Sequence, residues 1–151
     1  MICGKGHFHP IDIKAEQISD SLKNKGVDTI LIYRHWLGMN GFNGYGKVLW
    51  VKNGLIHQYF IDFKNHIDDY RIKSINYSEV WNPIFSFFFQ NKIDTIKTSP
   101  KSKTQGPDHD SNHFIQIIIG VFQFCFDVDG QALKDDPSHP YSQMIALVFG
   151  K

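Results

Sequence analysis

Cysteine is scarce in this chain: there are two, Cys3 and Cys125, and two make no disulfide framework. They leave the redox compartment open. Charge of one sign is also lacking, since 16 Lys and Arg stand against 15 Asp and Glu. So even a balance supplies no overall field to draw in nucleic acid or an anionic membrane. No stretch approaches the roughly 18 apolar residues of a bilayer span. The longest candidate, Phe114 to Phe126, carries Gln116, Gly120 and Gln123 and reads as strand. No charged, then apolar, then small-residue pattern of a signal peptide is read ahead of the expected fold. A cysteine as near the start as Cys3 is, however, where a bacterial lipoprotein begins once its leader is removed, although Met1 and Ile2 make a poor remnant of such a site. The expected compartment is the cytoplasm, or the cell envelope if a leader has been removed before Cys3. Abundant Ile, Asn, Lys and Phe with few Ala suggest an AT-rich bacterial gene.

What the chain does have is ring and β-branched bulk. Aromatic residues make up 15% and apolar ones 42%, too many for a disordered protein. With 151 residues it can bury a core as one domain.

Ile11, Ala15, Ile18 and Leu22 recur at helical spacing with Gly26 behind them, which predicts an amphipathic helix from about Ile13 to Lys25. Residues 27–37 are apolar on both faces and read as a strand covered on both sides. Asn53-Gly54 between two apolar runs is a strong hairpin signal. It sets Lys52 opposite Leu55, Trp50 opposite His57 and Val48 opposite Tyr59. A short strand is expected from Tyr70 to Ile75. Asn82-Pro83 opens either a helix or a strand over 83–92. Residues 98–112 read as a mobile polar loop. From Ile115 to Phe126 the apolar parity switches, which predicts one long strand with a bulge at Gly120. Asp129-Gly130 reads as a turn, and Ser138 and Pro140 as the cap and opening of a last helix ending at Gly150. The whole predicts one α+β domain over 1–151, with a single, mostly antiparallel sheet of about five strands and two or three helices packed mainly on one face.

Motifs with chemistry are few. Gly41 to Val48, "GFNGYGKV", fits G-x-x-x-x-G-K-[ST] except at its last place. A phosphate loop needs a hydroxyl there for magnesium and a helix behind it. Val48 and the strand-like run that follows provide neither, so no nucleotide is expected at Gly41–Lys47. His7 and His9 would share one face of a strand with Cys3 in reach, a weak metal candidate. The denser cluster is Asp108, His109, Asp110 and His113, whose carboxylates and imidazoles could hold a transition metal; solvated turn residues are the plainer reading. Asp127 to Gly130 is too short for a calcium loop. Cys125 and His113 on one long strand would sit ~40 Å apart, too far for a nucleophile and its base. Lys97, Lys101 and Lys103 have no interleaved aromatics, so nucleic-acid binding is not expected there. Asp68 and Asp69 are adjacent and do not read as an acid/base pair.

No catalytic motif is complete, and neither a cofactor nor an assigned metal site is expected. The chain reads as a non-catalytic bacterial binding or protein-interaction domain, envelope-associated or inhibitor-like. The alternative is a small metal-assisted hydrolase using the Asp108–His113 loop.

Overall fold

The computed structural model describes residues 10–36, 44–52, 55–63, 70–76, 81–103 and 111–149. Its elements run α1 (Pro10–Asn24), β1 (Thr29–Trp36), β2 (Gly44–Lys52), β3 (Leu55–Phe63), β4 (Tyr70–Asn76), α2 (Trp81–Gln90), a 3-10 turn (Ile93–Thr95), β5 (Asn112–Ile119), β6 (Phe122–Asp129), α3 (Gly130–Asp135) and α4 (Pro140–Phe149). The strands form one six-stranded sheet in the order β4-β3-β2-β1-β5-β6, antiparallel at every pairing. The α+β architecture expected from the sequence is therefore present, with one strand more than anticipated.

That extra strand comes from Gly120. Ile119 pairs with Phe122, so Gly120 and Val121 are the two residues of a tight hairpin, and the expected long bulged strand is two strands. Gly120 has φ +58°, as a turn with a left-handed first residue requires. Its N–H also donates to the Asp28 carbonyl at 2.7 Å. The parity switch is real, but folding back produces it, not a bulge. The assumed 40 Å between Cys125 and His113 falls with the long strand. Cys125 pairs with Gln116 on the opposite sheet face from His113, and it is disulfide-bonded, so it offers no free thiol to a base.

The sheet is covered on both faces, which is why β1 is buried almost throughout. On one face α1 sets Ile11, Ala15, Ile18 and Leu22 against Ile30, Ile32, Val48, Trp50 and Ile61. On the other, Ile84 and Phe88 of α2, Ala132 of α3 and Met144, Ile145 and Val148 of α4 pack on Leu31, Leu49, Ile115, Ile117 and Phe126. Three helices thus share one face and α1 takes the other.

Local signals fix most ends. Gly26, at φ +81°, closes α1: Gly26 N donates to Lys23 O, and Val27 N to Leu22 O, the paired bonds of a Schellman end. The β2–β3 register is Lys52↔Leu55, Trp50↔His57 and Val48↔Tyr59, as the turn chemistry predicts; Asn53-Gly54 itself lies outside the described residues. The segment after Asn82-Pro83 is helical. Asp129 is no turn residue but the cap of α3, its carboxylate accepting from Gln131 N and Ala132 N at 2.9 Å each. For α4 the capping side chain is His139, whose Nδ1 accepts from Tyr141 N at 3.1 Å; Ser138 instead reaches the Asp136 carboxylate. Of the polar segment at 98–112, Thr98 bonds His139 at 3.0 Å and Lys103 N donates to Asp135 at 2.8 Å, while 104–110 lie outside the described residues.

Candidate functional site

Alternation along β1 places Tyr33 and His35 beside Leu31, on the face covered by α4. The registers His35↔Tyr45 and His35↔His113 then gather Tyr33, His35, Tyr45, Lys47 and His113 at one end of three adjacent strands. The two imidazoles stack with ring centroids 4.0 Å apart and planes 9° from parallel. Tyr33 Oη and His113 Nδ1 are hydrogen-bonded at 2.9 Å. Tyr45 meets His35 edge-on at 5.0 Å, and Phe149, the last residue of α4, stands edge-on to both imidazoles.

Burial governs the electrostatics here. It pushes His35 down from 6.5 to about 4. His113 falls to about 4 for the same reason, helped by the neighbouring His35 and opposed by Asp129. Both rings are thus neutral at pH 7. Burial raises the Tyr33 and Tyr45 phenols above their ordinary range and lowers the Lys47 ammonium. His35 Nδ1 is buried without a hydrogen-bond partner among the described residues.

Lys47 answers the question posed by the glycine motif. Its Nζ donates to Val148 O at 2.9 Å and Phe149 O at 3.4 Å, so it satisfies the last carbonyls of α4 and meets that helix's negative end. Gly46 serves packing: a Cβ there would stand 2.9 Å from the Tyr33 carbonyl oxygen and 3.3 Å from the Ile11 side chain. Gly44 to Lys47 lie within β2, and Gly41 to Asn43 lie outside the described residues.

Of the proposed metal ligands, His113 is in this cluster, whereas Asp108, His109, Asp110, His7, His9 and Cys3 lie outside the described residues, as do Asp68 and Asp69. Among the described residues no group of three or more His, Cys, Asp or Glu could hold a metal ion. An ion bound in the plane of one imidazole would sit about 4 Å from the plane of the other, so the stacked pair does not chelate as it stands.

A second polar feature lies across the sheet. Arg34, 1% exposed, donates to Asp12 at 2.8 Å and lies 4.0 Å over the Phe114 ring. This buried pair ties the first turn of α1 to β1; burial lowers the Arg34 pKa, and Asp12 opposes that effect.

The same face carries a groove of about 340 Å³ between α1 and β3. Ile18, Leu22 and Tyr59 form its apolar part, and Lys14, Gln17, Ser21 and Lys25 its polar edge. Tyr59 is steadied by Trp50 at 4.7 Å, which in turn stacks on His57 at 5.4 Å. Sequence reasoning missed both the groove and the imidazole pair. The available signals were the Lys14, Ser21, Lys25 stripe along one helix and the shared parity of Tyr33 and His35. No described helix is long and apolar enough to cross a membrane. No protein-family model and no curated protein matches this chain.

Proposed function

We propose that the protein is a non-catalytic interaction domain, of an envelope-associated or inhibitor-like kind, that engages a partner protein through the groove between α1 and β3. The supporting observation is the composition of that groove, where an apolar floor and a held tyrosine ring lie beside polar side chains along three helical turns. Such a mix suits recognition of a peptide, with rings supplying contact area and the polar edge supplying orientation. The perturbed imidazoles, in contrast, are closed over by Phe149 and neutral, which fits a structural cluster.

Selection of a random twelve-residue phage-displayed peptide library on the folded protein tests this reading. Peptides that bind wild type and fail on folded Tyr59→Ala are expected. Binders indifferent to Tyr59→Ala, or no binders, would refute it.

A second reading, a metal-assisted hydrolase built on the Asp108–His113 loop, draws support from the meeting of His113 with His35. It requires one imidazole to leave the stack and bind the ion. Calorimetry with zinc should then show a site lost in His113→Ala; no heat with wild type would end this reading.

A further inference from the structure

Cys125 lies in β6, which among the described strands is the edge of the sheet beyond β5. On the α1 side of β6 its two neighbours, Gln123 and Asp127, are exposed, yet Cys125 between them is 7% exposed. Burial confined to one residue of a solvated row marks a covering group that meets that residue in particular. Cys125 belongs to neither apolar cluster of the described residues, and its sulfur is disulfide-bonded. The sequence holds one other cysteine, Cys3, so within the chain the pairing has a single solution. Distance permits it. Ile32, Gln116 and Cys125 form one row across β1, β5 and β6, and the first turn of α1 is held over β1 by the bond between Asp12 and Arg34. Two strand spacings and the height of a helix above a sheet put the start of α1 ~15 Å from Cys125. Seven residue steps separate Pro10 from Cys3, a reach of up to ~23 Å.

We infer that Cys125 is bonded to Cys3, that this bond ties the chain ahead of α1 to the β6 side of the sheet, and that the protein works where thiol oxidants keep it closed, outside the reducing cytosol. Closure is one exchange. The two thiols give up two protons and two electrons to a small-molecule or protein disulfide, which leaves as two thiols while the Cys3–Cys125 bond forms. A reducing compartment reverses it. A sulfur engaged in this way cannot also carry a thioether-linked lipid, so association with the envelope would not run through a lipid on Cys3. The inference stands apart from the groove between α1 and β3.

Full-length protein equilibrated with oxidised and reduced glutathione at about 1 mM each, then denatured in iodoacetamide and weighed by mass spectrometry, decides the pairing. No carbamidomethyl group should be added, and a digest should contain one peptide pair joined through Cys3 and Cys125. Reduction should lower the melting temperature by about 5–15 °C, and Cys3→Ser, which leaves Cys125 in place, should melt within about 2 °C of the reduced wild type. Two alkylated thiols, glutathione adducts, or a link between the Cys125 residues of two copies would overturn the pairing. A closed bond whose reduction leaves the melting temperature unchanged would overturn the assignment to an oxidising compartment, because the fold would then do without it. Neither result alters the Tyr59-dependent peptides that test the groove.

Discussion

Acid should unfold this protein through its two stacked imidazoles. Each titrates near 6.5 in the unfolded chain and near 4 in the fold. The folded value is the lower one, so the unfolded chain takes up protons first as pH falls. The stability from keeping both rings neutral is complete above about pH 6.5 and is lost on the way down to about 4. At pH 5 one such ring costs about 2 kcal/mol. Part of the depression at His113 is repulsion from His35, so the pair is expected to cost about 3 kcal/mol. Against a total of roughly 5–15 kcal/mol this is a large share. The urea midpoint should therefore fall by about 1.5–2 M between pH 8 and pH 5. The double variant His35→Phe, His113→Phe keeps two stacked rings without the protons, and most of the pH dependence should vanish in it. In wild type, the ring C–H resonances of His35 and His113 should stay at their neutral positions down to pH 5. A wild-type midpoint that is flat from pH 8 to 5, or the full slope retained in the double variant, would refute the reasoning.

Three further expectations follow from the backbone contacts. Gly46→Ala puts a methyl group 2.9 Å from the Tyr33 carbonyl oxygen and should cost about 1–3 kcal/mol; an unchanged melting temperature would mean that α1 and the β1–β2 ribbon do not approach as described. Lys47→Met keeps the aliphatic arm but strips the donor from the Val148 and Phe149 carbonyls. It should cost about 1–2 kcal/mol and speed amide exchange in the last turn of α4, while calorimetry with magnesium-ATP stays silent on wild type; micromolar binding abolished by Lys47→Ala would contradict the reading of this lysine as a helix cap. Gly120→Val meets no atom within 4 Å but is held at φ +58°, so its loss of about 1–2 kcal/mol is backbone strain alone, and Gly120→Asn should lose less than half as much. Equal losses for the two variants would point to steric crowding.

What the sequence showed plainly was local chemistry. Gly26 after an apolar helical stripe, Asn-Gly between two apolar runs and proline at the first position of α4 each act within a few residues, and each structural element is where they put it. Gly120 was misread because a bulge and a two-residue hairpin flip the apolar parity in the same way, and a glycine with positive φ suits both. Only the pairing of Ile119 with Phe122 separates them, and pairing is not local. The site suffered similarly. His35 and His113 were visible as residues, but their stack depends on the β1–β5 register. Lys47 was read against its sequence neighbours, while its hydrogen-bond partner Val148 O lies 101 residues away.

The strand order carries a consequence for how the chain reaches this state. β1, β2, β3 and β4 follow one another through adjacent pairings, as do β5 and β6, so these two pieces close only short loops. Their junction is β1 against β5, where Tyr33 and His113 meet across a sequence separation of 80. Closing so long a loop brings an entropic cost before any contact offsets it. The meander and the hairpin should thus form early, and docking of one on the other is expected to set the folding rate. The imidazole pair sits on that seam. Protonating it strikes the last step of assembly, so in mild acid the two pieces should outlive the contact between them.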